Sequence, residues 1–313
     1  MKIYLAPLEG VTGYVYRNAY HQTFEDADKY FIPFVAPHPG GSFSERERND
    51  LLPENNRGMY AVPQVMTKNA ADFLELAEEM KEWGYTEINL NAGCPSNTVV
   101  AKNRGAGLLD DPYTLNKLLD GIYSRVDVRV SVKTRIGMED PEEFYDILNV
   151  YNSYPIHEVI IHPRVRSDYY KNSPNLDMFE YALEHSRNPV VYNGDLNSME
   201  DVRLFRERFP EVDRVMIGRG LLKNPGLIAE IKGKGAADIT SIKEFHDSLL
   251  EGYEKDMDGS PYVLFKMKEI WAHMSRHISG VEEYLKDLRR TCEIPEYKAL
   301  TDELFQNCKI RTE

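Results

Sequence analysis

The sequence predicts an α/β protein, a (β/α)8 TIM barrel followed by a small all-helical C-terminal domain. Three observations predict it: short apolar runs recur along the chain, amphipathic stretches separate most of them, and the runs end in polar or glycine-bearing motifs. The runs cover residues 3–6, 31–35, 60–65, 86–91, 128–133, 158–162, 189–193 and 214–217, eight in all. Between them, residues 70–80 place Phe73, Leu74, Ala77 and Met80 on one helical face. Residues 112–125, 141–151, 175–187 and 198–209 read the same way, with Pro112 and Pro141 near helix starts, where a missing N–H costs nothing. Strands alternating with helices imply a parallel sheet, and eight such units imply a closed barrel rather than an open doubly wound sheet.

Barrel enzymes work at the C-terminal ends of their strands. In chain order those ends carry Pro7-Leu8-Glu9-Gly10, Gln64, Asn89/Asn91/Cys94, Lys133/Arg135, His162/Arg164, Asn193-Gly194-Asp195 and Gly218-Arg219-Gly220. Cys94 lies on a sharp turn between the breakers Gly93 and Pro95, which aims the thiol instead of burying it. Asn89 and Asn91 offer paired donors and acceptors suited to a flat amide-like ligand such as a uracil edge. Glycine-rich turns after the seventh and eighth strands suit the phosphate site of such barrels, and Arg219 adds charge there.

Beyond the barrel, Gly233–Ala237 reads as a linker and residues 239–313 as helices separated by turns at 259–261, 279–280 and 293–295. This annex carries eleven Lys/Arg against fifteen Asp/Glu, yet residues 266–277 are locally basic, and Lys286, Arg289 and Arg290 follow. The whole chain has a net charge of −13, unusual for a protein that meets nucleic acid, although a local basic patch steers a ligand whatever the total. Three cysteines without paired spacing fit a reducing compartment, and the absence of an apolar span leads us to expect a cytoplasmic protein with no membrane partner.

The chain resembles the tRNA-dihydrouridine synthases, flavin enzymes that reduce a uracil base in RNA. The matching pieces are residues 6–12 (Ala-Pro-Leu-Glu-Gly-Val-Thr), Pro63-Gln64, Asn89-Leu90-Asn91-Ala92-Gly93-Cys94-Pro95, Lys102 with residues 105–109, Val132-Lys133-Thr134-Arg135, Ile161-His162-Pro163-Arg164, Asn193-Gly194-Asp195 and residues 216–220. They span most of residues 1–225 in family order, and the Asn-x-Asn-x-Gly-Cys-Pro run with its downstream lysine is the discriminating part. Two positions depart from the family pattern: Pro163 follows His162 where a small residue is usual, and Ala101 stands where a basic one is common. The polar segment 37–58 is a further place where substrate preference is expected to differ.

The resemblance implies a barrel over residues 1–235 that binds FMN, reduced by NADPH or NADH, and a helical RNA-binding domain over 239–313 that docks tRNA. It implies Cys94 as the catalytic proton donor, a thiol that must stay protonated, so no strongly cationic neighbour is expected against the sulfur. It implies cofactor contacts from Pro7, Leu8, Glu9, Gln64, Lys133, His162, Asn193, Gly194, Asp195, Gly218 and Arg219. Lys133 would stabilise the anionic reduced flavin, and Asp195 would orient its neighbours. It implies substrate contacts from Asn91, reading the uracil edge, and from Lys102, Arg135, Arg164 and Arg166. No metal is expected, and the chain is expected to act as a monomer. The alternative is an FMN barrel that acts on a small unsaturated metabolite such as a free pyrimidine or dihydroorotate.

Overall fold

A computed structural model describes residues 1–38 and 43–311. Nine strands form one sheet: β1 (Lys2–Leu5), β2 (Lys29–Phe31), β3 (Ala61–Val62), β4 (Gln64–Val65), β5 (Glu87–Ala92), β6 (Arg129–Arg135), β7 (Val159–His162), β8 (Val190–Asn193) and β9 (Arg214–Ile217). Their order is β3-β2-β1-β9-β8-β7-β6-β5-β4. The two edge strands are halves of one run that Pro63 interrupts, because proline has no N–H to give the ladder. β3 pairs in parallel with β2 (Phe31 beside Val62), β4 pairs in parallel with β5 (Gln64 beside Asn89), and Val35 bridges Val65. The sheet therefore closes on itself, and the nine pieces make the eight expected staves. Tyr4, Phe31, Val62, Ile160, Val191 and Met216 fill its interior as one buried cluster.

The helices are α1 (Tyr14–Thr23), α2 (Glu45–Leu51), α3 (Ala70–Glu82), α4 (Asn97–Val100), α5 (Pro112–Tyr123), α6 (Glu143–Tyr151), α7 (Leu176–His185), α8 (Met199–Arg208), α9 (Arg219–Lys223), α10 (Leu227–Ile231), α11 (Ile239–Asp256), α12 (Ser260–Met274), α13 (Leu285–Arg290) and α14 (Ile294–Asn307). Their starts are written in side chains. Asn69, Asp111, Asn175, Ser198 and Asp238 each accept a backbone N–H of the first turn of α3, α5, α7, α8 and α11. α6 begins two residues after Pro141, since residues 140–143 form a turn in which Glu143 N–H donates to Asp140 O. Within the polar segment 37–58, residues 39–42 lie outside the described residues; the remainder holds α2, opened by a Ser44/Glu47 capping box.

By contacts the chain divides into two compact units, residues 1–7, 28–195 and 210–216, and residues 8–27, 196–209 and 217–313. The first contains nearly the whole sheet. In the second, the C-terminal helices share a core with α1, where the Phe245 ring meets Tyr16 edge-on at 5.5 Å. Buried His246, from α11, joins the Tyr297 hydroxyl of α14 at 2.7 Å, and Trp271 Nε1 of α12 donates to the same hydroxyl at 2.7 Å. The annex is not wholly helical: β10 (Ile278–Ser279) and β11 (Lys309–Ile310) form a small antiparallel ribbon.

At the N-terminal end of the barrel the interior is ionic. Lys29 Nζ donates to Glu87 Oε2 and to Glu158 Oε2, both at 2.7 Å. Glu158 Oε1 also accepts the Tyr4 hydroxyl at 2.7 Å and Arg214 Nη1 at 2.9 Å. Burial alone would raise the Glu158 carboxyl, but Lys29 and the Tyr4 hydroxyl outweigh it and hold the group below the usual glutamate range.

Candidate active site

From that ionic base a hydrogen-bonded ladder climbs the barrel interior. Ser131 Oγ donates to Glu87 Oε1 (2.9 Å), Asn89 Nδ2 to Ser131 Oγ (2.9 Å), Gln64 Nε2 to Asn89 Oδ1 (2.7 Å) and Asn91 Nδ2 to Gln64 Oε1 (2.7 Å). The ladder ends at the thiol turn: Asn91 Oδ1 accepts the backbone N–H groups of Gly93 (3.1 Å) and Cys94 (3.0 Å). The Glu87 carboxylate, gripped by Lys29, accepts, so the direction of every rung follows and all three amide orientations, of Asn89, Gln64 and Asn91, are determined. Asn89, Asn91 and Gln64 are buried. Asn91 therefore commits its carbonyl to the turn that carries Cys94. Its amide N–H, too, is engaged, with Gln64 Oε1.

Cys94 is half-buried, and a short 3₁₀ turn, residues 105–110, packs on its loop through the Ala106 N–H to Cys94 O bond (3.0 Å). Gly105 has φ +56°, and a Cβ there would lie 2.9 Å from Cys94 Cβ. The Gly-x-Gly downstream of the thiol is thus a packing requirement of the thiol loop.

Lys133, in register with Asn91 across β5 and β6, is half-buried at the C-terminal end of its strand. Burial, and then the Arg135 charge, lower its pKa to about 7, with Cys94 acting in the opposite direction. Lys133 is thus within electrostatic reach of the thiol. With its value lowered, the amine is largely neutral well above pH 7 and then exerts little pull on the thiol proton. Because an unfolded lysine ionises near 10.4, the folded protein carries the full cost of the buried charge below pH 7, and that cost fades as pH rises toward the unfolded value. Lys133→Met is accordingly expected to raise the melting temperature at pH 6 by about 2–4 °C, or about 1 kcal/mol, and to change it much less at pH 10. Calorimetry at the two pH values checks this.

Two of the arginines expected to meet RNA are buried instead. Arg135 donates to the carbonyls of Gly93 (3.1 Å), Val165 (2.9 Å) and Tyr169 (2.7 Å). Arg164 grips Asp195 through both terminal nitrogens and donates to His162 Nε2 at 2.9 Å. Their donors are engaged inside the protein, so Arg135 and Arg164 organise loops rather than meet a phosphate backbone, and Asp195 is the carboxylate that Arg164 holds. Arginine only donates, so His162 Nε2 must accept; the ring is neutral, with its proton on Nδ1. Arg166 is half-buried, and Lys102 is exposed on the turn after α4. Asn193 Nδ2 fastens the end of β8 to Met216 O at 2.9 Å, and a Cβ on Gly194 would lie 2.1 Å from the Tyr192 hydroxyl.

In the second unit, Leu8 O closes a turn by accepting the N–H groups of Val11 and Thr12, both at 3.0 Å, and Glu9 is exposed. Gly218 caps α9, its carbonyl accepting Leu221 N–H at 3.0 Å, and Arg219 is half-buried at the head of that helix. Pro7, at the end of the first unit's opening segment, is also half-buried.

Sequence reasoning missed Tyr170 and the ladder residue Ser131. Tyr170 is 49% exposed, with the Arg135 guanidinium 5.3 Å from its ring centre and the His162 ring at 5.9 Å. No periodicity marks a loop aromatic of this kind. Ser131, by contrast, alternates inward with Lys133 and is legible from strand period alone.

A family model described as dihydrouridine synthase matches residues 4–310. A probable tRNA-dihydrouridine synthase of Staphylococcus aureus (strain COL) is 29% identical over 310 residues, covering 96% of this chain and 92% of the relative. A tRNA-dihydrouridine synthase B of Pasteurella multocida is 28% identical over 227 residues, 72% of this chain and 67% of the relative. Among solved structures, morphinone reductase in complex with tetrahydroNAD superposes with a TM-score of 0.53 at 12% identity, over 75% of this chain and 88% of that one. A variant of NCR from Zymomonas mobilis gives 0.52 at 13%, over 78% and 90%. The two structures support the barrel fold.

Proposed function

The chain belongs to the dihydrouridine synthase family, and from that premise we propose that it reduces a uridine of tRNA to 5,6-dihydrouridine, with FMN as its flavin and NADPH or NADH as reductant. The observation that carries this reading is the Cys94 turn, held by Asn91 at the end of a buried polar ladder with Lys133 in electrostatic reach. The residues present fit a flavin mononucleotide. Lys133 ionises near neutrality, so it offers positive charge to an anionic ring at small cost, and His162 is a neutral N–H donor. Pro7, Leu8 and Glu9 would hold the group through backbone atoms, with Gln64, Lys133 and His162. Asn193, Gly194, Asp195, Gly218 and Arg219 would form its phosphate end. When bound and reduced, the flavin supplies a hydride for C6 of the uracil ring.

The protein's own part is orientation and a proton. Cys94 donates its thiol proton to C5, and the Asn91 carbonyl fixes where that proton sits by gripping the Cys94 and Gly93 N–H groups. Lys133 balances developing negative charge. Lys102 and Arg166 meet the RNA, whose target base must leave its stack to reach the end of a barrel. Residues 1–235 hold the flavin, and residues 239–313 dock the tRNA, with exposed Lys286, Arg289 and Arg290 available to its phosphates. The protein works as a monomer in the cytoplasm. Among the described residues no helix is long and apolar enough to cross a membrane.

Purified protein is expected to be yellow and to release FMN, not FAD, on denaturation, because the chain has no dinucleotide-binding glycine fingerprint to hold an adenylate. Incubated with NADPH and unmodified tRNA, it is expected to form dihydrouridine at a mappable position. Colourless protein that cannot be reconstituted with FMN would overturn the proposal. Turnover of free pyrimidines without any on tRNA would favour the small-metabolite alternative.

A further inference from the structure

We propose that Asn97, Tyr169 and Arg166 form a latch that holds the Cys94 loop in place by tying it to the loop after β7, with Asn97 and Tyr169 as positioning residues. The inference rests on the reading of Cys94 as proton donor. It starts from a backbone anomaly. Among the described residues only Asn103 and Tyr169 combine a side chain with positive φ. Asparagine tolerates that region, whereas a bulky aromatic does not. Tyr169 has φ +50° and ψ −96°, a conformation that persists only where its surroundings enforce it.

The surroundings do so at both ends of the residue. The Tyr169 carbonyl accepts Arg135 Nη2 at 2.7 Å, and its hydroxyl donates to Asn97 Oδ1 at 2.8 Å. Arg166 donates to the same Asn97 oxygen, and its guanidinium lies 5.4 Å from the centre of the Tyr169 ring. Asn97 opens α4, three residues beyond Cys94. On the other side of the thiol, Arg135 Nε donates to Gly93 O at 3.1 Å while Nη1 holds Val165 O at 2.9 Å. The segment 165–169 thus holds the loop on both flanks of Cys94, directly at Asn97 and through Arg135 at Gly93. A thiol that must deliver its proton to one carbon gains from such a grip, because proton transfer tolerates little misplacement.

The test reads the thiol itself, with and without turnover. Alkylation of Cys94 by iodoacetamide in the purified full-length protein, followed by peptide mass spectrometry, reports how often the loop opens, and exposed Cys292 serves as the reference thiol. Asn97→Ala removes the shared acceptor and is expected to alkylate roughly three- to tenfold faster, in proportion to the hydrogen bonds lost. The pH midpoint of the reaction should stay put, since loop opening and not acidity has changed. Tyr169→Phe should move the same way by less, and Asn97→Asp, which keeps the oxygen, should restore the slow rate. Tyr169→Gly relieves the backbone while removing the hydroxyl, so it should alkylate faster without a lower melting temperature. A residue serving only fold stability would not behave so. With pre-reduced enzyme and tRNA, Asn97→Ala should lower the single-turnover rate and leave KM unchanged. Wild-type alkylation rates in both Asn97→Ala and Tyr169→Phe would overturn the latch, as would acceleration that merely tracks a fall in melting temperature. Should the alkylation pattern hold while wild-type protein forms no dihydrouridine, the latch stands and the functional reading falls.

Discussion

Cys94→Ala is expected to lower dihydrouridine formation by roughly 10²–10⁴-fold, the usual worth of a positioned general acid, while leaving flavin content and NADPH oxidation by oxygen nearly unchanged. The split arises because the thiol acts on the substrate carbon and has no part in reducing the flavin. Cys94→Ser should be almost as impaired, since a hydroxyl of the same reach is a far weaker acid. Single-turnover assays with pre-reduced enzyme and unmodified tRNA make the measurement. A wild-type rate in Cys94→Ala would reduce the residue to packing. The turn should survive the substitution, because Asn91 holds it through backbone N–H groups that alanine keeps.

The largest effect on stability is expected at the opposite end of the barrel. Lys29→Met removes the cation that two buried carboxylates, Glu87 and Glu158, share at 2.7 Å each. Breaking a buried pair from one side costs about 3–5 kcal/mol because it strands the remaining charge. Two carboxylates are stranded here, although Arg214 and Tyr4 still serve Glu158. Adding Glu87→Gln to Lys29→Met should recover part of the loss, and chemical denaturation of both variants checks it. The pH dependence has a definite sign. Glu158 is held below the usual glutamate range, so its contribution is complete above about pH 4.3, the unfolded value, and fades as pH falls through the folded one. A Lys29→Met protein whose denaturation midpoint matched the wild type would show that the ladder does not depend on its ionic base.

Much of this molecule is legible in its residues. Six of the eight predicted runs coincide with single strands to within two residues. The run 60–65 is the two strands β3 and β4, and the run 31–35 meets β2 only at Phe31, with Val35 bridging Val65. The helix starts near Asn69, Asp111 and Ser198 lie where a capping side chain precedes an amphipathic run. Period and capping are local properties, fixed within a few residues of the chain, so sequence carries them directly. The polar strand ends were equally visible. What each polar side chain does there was less so. Arg135 and Arg164 look like surface cations when read singly, and only the fold brings the Gly93, Val165 and Tyr169 carbonyls around one and Asp195 against the other.

By itself the sequence determined the eightfold alternation, the thiol turn at Gly93-Cys94-Pro95 and the family to which these motifs point. Tertiary structure alone decided that Pro63 splits a strand whose halves close the barrel, that Asn91 holds the thiol turn, and that Lys133 ionises near neutrality. The physical reason is the same in each case. A hydrogen-bond partner, a neighbouring charge and the loss of solvent belong to residues far apart in the chain: Gln64 and Asn91 are 27 positions apart, and Lys29 and Glu158 are 129. Closure of the barrel creates those environments, and no local pattern encodes them.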